Sequence, residues 1–180
     1  MPLIDTTQLT WGLASKTKSL KAKHLSSLLV DPRVISRFLV ETLEGKEQLN
    51  PNSMICIGDA SDAWQQSPTK LLAKYDLKDI DSDGWYLFAP KPGNNSNCHE
   101  VTDADVVNCL QIPKLREKPG QPDFAIIGQY GEKTDYGLMQ YGHLGDFILR
   151  DPNNPKDCWI VMRKIFLNTY EQLPATQKNT

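Results

Sequence analysis

Apolar positions recur at helical spacing near the start of the chain. In Lys16 to Leu29, Leu20, His24, Leu25, Leu28 and Leu29 fall on one helical face, with Lys16, Lys18, Lys21 and Lys23 in or beside the first turns. The spacing predicts a helix with a basic beginning. Asp31-Pro32 then supplies an N-cap and a first-turn proline, and Val34, Ile35, Phe38, Leu39 and Leu43 predict a second helix that ends at Gly45.

Further along, the short apolar run Ser53 to Ile57 predicts a buried strand, and Ser67-Pro68 opens a short helix through Leu71, Leu72 and Tyr75. Trp85 to Phe88 reads as a strand, closed by Pro90, Pro92 and Gly93. Thr102 with Asp105 approximates a capping box for a helix through Leu110. Gln111 to Pro122 is polar and proline-bearing, a surface connection. The remainder is strand-like: Phe124–Ile127, Asp146–Leu149 and Cys158–Met162, with Asp151–Pro155 as a loop of turn residues. Phe166 to Leu173 reads as a closing strand or a helical turn.

Helices first, a mixed middle and a strand-rich end predict an α+β fold. N-terminal helices would pack on a mixed, mainly antiparallel sheet or on a small barrel-like C-terminal half. At 180 residues, 39% of them hydrophobic, one domain over 1–180 is expected, with a subdivision into a mixed part, 1–110, and a β-rich part, 123–173.

A net charge of −2 and a pI near 5.9 argue against a surface built throughout for phosphate backbones. The charge is uneven: residues 51 to 110 carry four Lys or Arg against nine acids. Cys56, Cys98, Cys109 and Cys158 are far apart and lack the spacing of a zinc site. With no basic tip followed by an apolar run at the start, and no apolar stretch of membrane length, a reducing cytoplasmic setting with free thiols is expected.

The stretch Asp79-Ile-Asp-Ser-Asp-Gly84 begins like a calcium loop. Asp79, Asp81, Asp83 and Gly84 fill positions 1, 3, 5 and 6, yet position 12, which should be a bidentate glutamate, is Pro90. A turn in which the aspartates bond their own backbone and Gly84 supplies a positive φ is the expectation, without a metal or other cofactor.

Candidate contact residues are Trp11 with Lys16, Lys18, Lys21 and Lys23, a basic patch free of acids from Thr6 to Val30, and Trp64 in a polar loop. Trp85 and Trp159, within strand-like runs, are expected to pack inside. His143 near Asp146 could be oriented by that carboxylate, but no serine or cysteine is tied to it by a visible pattern. Cys98 and His99, adjacent on an extended chain, point to opposite faces. Phosphate-loop, dinucleotide and hydrolase-elbow motifs are absent.

The C-terminal Gly142-His-Leu-Gly-Asp-Phe-Ile-Leu149, followed by Trp159-Ile-Val and Phe166-Leu-Asn-Thr-Tyr170, resembles a module of small phage and bacterial proteins. There the pattern is Pro-Gly-Asp-aromatic-aliphatic, and here Leu144 stands for the proline. The resemblance implies a compact β-module and a phage or mobile-element origin, and it assigns no catalytic residue. The expectation is a non-catalytic interaction protein with a macromolecular partner, more readily protein than nucleic acid. The alternatives are an enzyme using His143, Asp146 or a cysteine, and nucleic-acid binding through the basic N-terminal helix.

Overall fold

The computed structural model describes residues 1–28, 33, 37–42, 46–113 and 121–174. The fold is predominantly β, with 50% strand and 17% helix. The chain divides into two compact units, Met1–Ser15 with Asn95–Thr180, and Lys16–Asn94. Among the described residues no helix is long and apolar enough to cross a membrane.

The first unit opens with β1 (Pro2–Leu3) and β2 (Gly12–Lys16), at whose end the chain passes into the second unit. That unit carries β3 (Leu20–His24), helix α1 (Leu25–Leu28), β4 (Leu39–Glu41), β5 (Lys46–Gln48), β6 (Met54–Ile57) and β7 (Ala63–Gln66). Helix α2 (Pro68–Lys74), β8 (Tyr75–Ile80) and β9 (Tyr86–Pro90) complete it. Back in the first unit come β10 (Asn95–Glu100), α3 (Asp103–Val106), β11 (Leu110–Gln111), β12 (Phe124–Thr134) and β13 (Gly137–Gly142). β14 (Phe147–Asp151), β15 (Asn154–Val161), α4 (Arg163–Thr169) and β16 (Tyr170–Leu173) follow.

The α+β expectation is therefore corrected. In place of the helix expected over Lys16 to Leu29, Leu20–His24 is strand β3 and Leu25–Leu28 makes a single helical turn, while Leu29 lies outside the described residues. Leu-Lys-Ala-Lys-His satisfies a helical and an alternating pattern alike over five residues. Its partners decide: β3 pairs with β6 on one side and β9 on the other, both antiparallel, so Leu20 and Ala22 go inward and Lys21 and Lys23 outward. Most of the predicted second helix, including Asp31, Pro32, Val34 and Ile35, lies outside the described residues, and Leu39 begins a strand instead.

The barrel-like alternative is corrected as well. The first unit holds two open sheets, in the orders β11-β1-β12-β13 and β15-β14-β10-β2-β16, and neither closes. Alternation of inward and outward residues is common to open and closed sheets, so the pattern alone could not separate them.

Several local predictions hold. Ser67 accepts the amide of Lys70 through its hydroxyl ahead of Pro68, and α2 follows. The capping-box carboxylate of Asp105 accepts from the Thr102 amide at 2.7 Å and its hydroxyl at 2.8 Å, but the helix it opens ends at Val106, and Leu110, expected within it, begins β11. Strands lie in each of the runs expected at 53–57, 85–88, 124–127, 146–149 and 158–162, with ends that differ from the expected ones by a residue or more in most cases.

The core of the second unit gathers Leu20, Ala22, Met54, Cys56, Leu71, Tyr75 and Phe88, with Trp64 and Tyr86 packed against it. Cys56 sits opposite Ala22 and Trp64, placing all three on one face of the sheet β7-β6-β3-β9-β8. Leu71 of α2 is fully buried, worth about 1.5–3 kcal/mol. In the first unit, Phe147, Phe166 and Tyr170 stack in series at centroid separations of 3.7 and 5.1 Å.

Candidate partner-binding face

Because one face of β7-β6-β3-β9-β8 packs into a core, cross-strand register fixes what the other face presents. Opposite Lys21 stand Ile57 on β6 and Leu87 on β9, and Ala63 pairs with Ile57. Opposite Lys23 stands Ile55, which pairs with Gln65. These residues are half-buried, whereas their neighbours on the same strands, Ala22, Met54, Cys56 and Phe88, are buried. The outer face is thus an apolar floor from which two lysines rise.

Trp85, just before β9, joins that face. The ammonium groups of Lys21 and Lys23 lie 5.1 and 5.7 Å from its ring centroid, a cation–π arrangement. Lys23 also donates to the Asp83 carbonyl at 2.7 Å. That carbonyl belongs to the aspartate-rich turn. One oxygen of Asp81 accepts the amides of Asp83 and Trp85, both at 2.9 Å, and Asp79 accepts the amide of Ile80. Gly84 takes φ of +79°, which a side chain would strain. The aspartates hold a backbone turn that delivers Trp85 to the sheet, as expected of this stretch.

A groove of about 430 Å³ crosses the same face. Ile57 and Leu87 form its floor, Lys21, Lys78, Ser19 and Asp59 its rim, and Leu20 and Phe88, whose side chains turn into the core, border it. Lys78 reaches this position at a register shift in β8 between Leu77 and Asp79.

Next to the rim lies a charge cluster with its own balance. Lys16 has its pKa pushed down to about 8 because burial disfavours the ammonium, against the opposing pull of Asp62 and Asp59. One Asp62 oxygen is buried over Gly58, where an added Cβ would come within 2.3 Å of it.

The predicted contact residues separate. Lys21 and Lys23 share the outer face, Lys18 is exposed in the β2–β3 loop, and Lys16 is drawn into the aspartate cluster. Trp64 faces the core, its indole nitrogen 3.5 Å from Gln66 Oε1. Trp85 has the outward role instead. Trp11 belongs to the first unit, partly buried, with Arg150 4.2 Å from its ring centroid and His99 meeting it edge-on at 6.4 Å. Lys78, Leu87 and Ile57 are not singled out as contact residues by the sequence, and Trp85, expected to pack inside, lies against Lys21 and Lys23. The available signal was the two-residue alternation around Lys21 and Lys23.

The candidate catalytic groups do not assemble. Asp146 meets the backbone of His143, accepting its amide at 2.9 Å, and also accepts the Arg163 amide at 2.9 Å. The His143 ring faces Asp123 instead, at 3.5 Å, and both side chains are about half exposed. Cys98 is buried among Ala14, Phe147 and Leu149, while His99 turns the other way, 2.8 Å from the Thr10 carbonyl and 3.1 Å from Asp105 Oδ1. Cys109 lies near that pair, but its thiol donates to the Asp105 carbonyl. Its pKa is raised by burial and then by the charges of Asp105 and Asp5, the opposite of what an activated nucleophile needs. Burial lifts Cys98 and Cys158 too, and pushes Cys56 up to about 12. Among the described residues no group of three His, Cys, Asp or Glu is arranged to hold a metal ion.

Compared with protein-family models, with curated proteins and with solved structures, the chain matches none.

Proposed function

We propose that this chain is a non-catalytic interaction protein that holds a macromolecular partner on the outer face of the Lys16–Asn94 sheet. The observation that carries the reading is the register that lines up Leu87, Lys21 and Ile57, with Lys23 and Trp85 beside them, on the face turned away from the core. Apolar side chains interspersed with a few cations form a surface that loses water readily and orients what binds. The thiols are held in their protonated form by burial, which supports binding over nucleophilic chemistry. Four free cysteines support a reducing, cytoplasmic setting. The C-terminal resemblance supports a phage or mobile-element origin.

The test is affinity capture from a host extract with the intact chain and with Leu87→Asp, followed by quantitative identification. A partner retained by the wild type and lost by the folded variant supports the proposal. Equal retention by both overturns it, as does turnover of a substrate that disappears in His143→Ala.

A further inference from the structure

Resting on that binding-face reading, we infer that the occupant is an acidic polypeptide segment that sets a large apolar side chain into the groove and carboxylates against its rim. Charge at the groove selects this occupant. Of the groove's rim residues, Asp59 is the single carboxylate, and it is among the charges acting on Lys16. Lys21 is met by the Trp85 ring, a weak partner beside a carboxylate, and Lys78 by Asp76 at 3.7 Å with both side chains well exposed. Two cations therefore flank an apolar floor with their charges only lightly compensated.

The floor dictates the rest of the ligand. Ile57 and Leu87, half-buried, gain from an apolar cover, and about 430 Å³ accommodates one or two large side chains of a longer chain. A segment alternating acids with Leu, Phe or Ile places apolar groups inward and carboxylates toward Lys21 and Lys78.

A single-stranded nucleic acid fits less well. Stacking on Trp85 would have to displace the two ammonium groups already over its ring, and Lys21, Lys23 and Lys78 are few cations for a phosphate backbone.

The experiment is a selection of random twelve-residue peptides displayed against the full-length chain, with Leu87→Asp and the Lys21→Glu/Lys78→Glu double variant as counter-targets. A randomised DNA thirty-mer pool is run in parallel. Circular dichroism and melting establish that the variants fold. Enriched peptides should be acidic with interspersed large apolar residues, and should weaken about tenfold or more on either variant. Their binding should also fall as salt is raised. Neutral or basic winners, no enrichment, or enrichment indifferent to the variants overturns the inference, and so does preferential enrichment of DNA. If peptides fail while Leu87→Asp still abolishes capture of a macromolecule from extract, the choice of occupant is wrong and the binding face survives. If both fail, both readings fall.

Discussion

Asp146 offers the sharpest test of how the C-terminal region is held. It is 7% exposed, and its two oxygens accept separate backbone amides, His143 in the turn before β14 and Arg163 at the start of α4. Met162, at the N-cap of α4, has no side chain that can cap. Asp146, seventeen residues before Arg163, takes over that task, and its negative charge suits a helix N-terminus. Replacing it with alanine removes two bonds to a charged acceptor, each worth about 1.5–3 kcal/mol. Water reaches both amides in part, so the net loss should be about 3 kcal/mol, a fall in melting temperature of roughly 6–12 °C for a chain of this size. Asparagine keeps one acceptor oxygen but turns its amide group toward the other N–H, and should cost about half as much. Thermal and urea melts of the three proteins read this directly. An alanine variant that melts within about 1 °C of wild type would refute the reasoning, and a folded asparagine variant that lost a chemical activity would point back to catalysis.

Other predictions concern strain and titration. Gly131 has φ of +134°, and an added Cβ would lie 2.4 Å from the Met139 carbonyl oxygen, so Gly131→Ala should destabilise by about 2 kcal/mol or more in urea melts. Gly93, also at positive φ but with open space around it, should lose only about 1 kcal/mol as alanine, and equal losses would mean that the close approach is unimportant. Lys16, with its pKa lowered from 10.5 to about 8, binds its proton less tightly when folded than when unfolded. Its contribution to stability should therefore rise with pH between about 8 and 10.5, and Lys16→Met should remove that rise when melts at pH 7 and pH 9.5 are compared. Buried Cys56, its thiol pushed up to about 12, should resist alkylation in the native protein at pH 8, whereas the half-buried Cys109 should be modified first; early labelling of Cys56 on peptide mapping would contradict this.

Punctuation was more legible in the sequence than pairing. Ser67-Pro68, Thr102 with Asp105, and the aspartates before Gly84 act within a few residues, and each behaves as local chemistry requires. Lys16 to Leu29 failed because a short alternating run is also consistent with one helical face, and what resolves it, β6 and β9, lies some 30 and 65 residues away. The same distance hid the candidate face. Leu87 and Ile57 are ordinary strand residues until register places Lys21 between them. Trp64 and Trp85 exchanged their expected roles for a related reason: a polar neighbourhood in sequence does not determine which side of a strand faces the core.

The residues flanking the Lys16–Asn94 unit have a consequence for engineering. Ser15 and Asn95 are antiparallel cross-strand partners, so β2 and β10 together form a hairpin whose loop happens to be a folded unit. Closing a long loop costs only slightly more entropy than closing a short one. That junction therefore tolerates exchange: a short turn, or an unrelated module with adjacent ends, could be spliced there as a cassette while the β2–β10 pairing stays as it is.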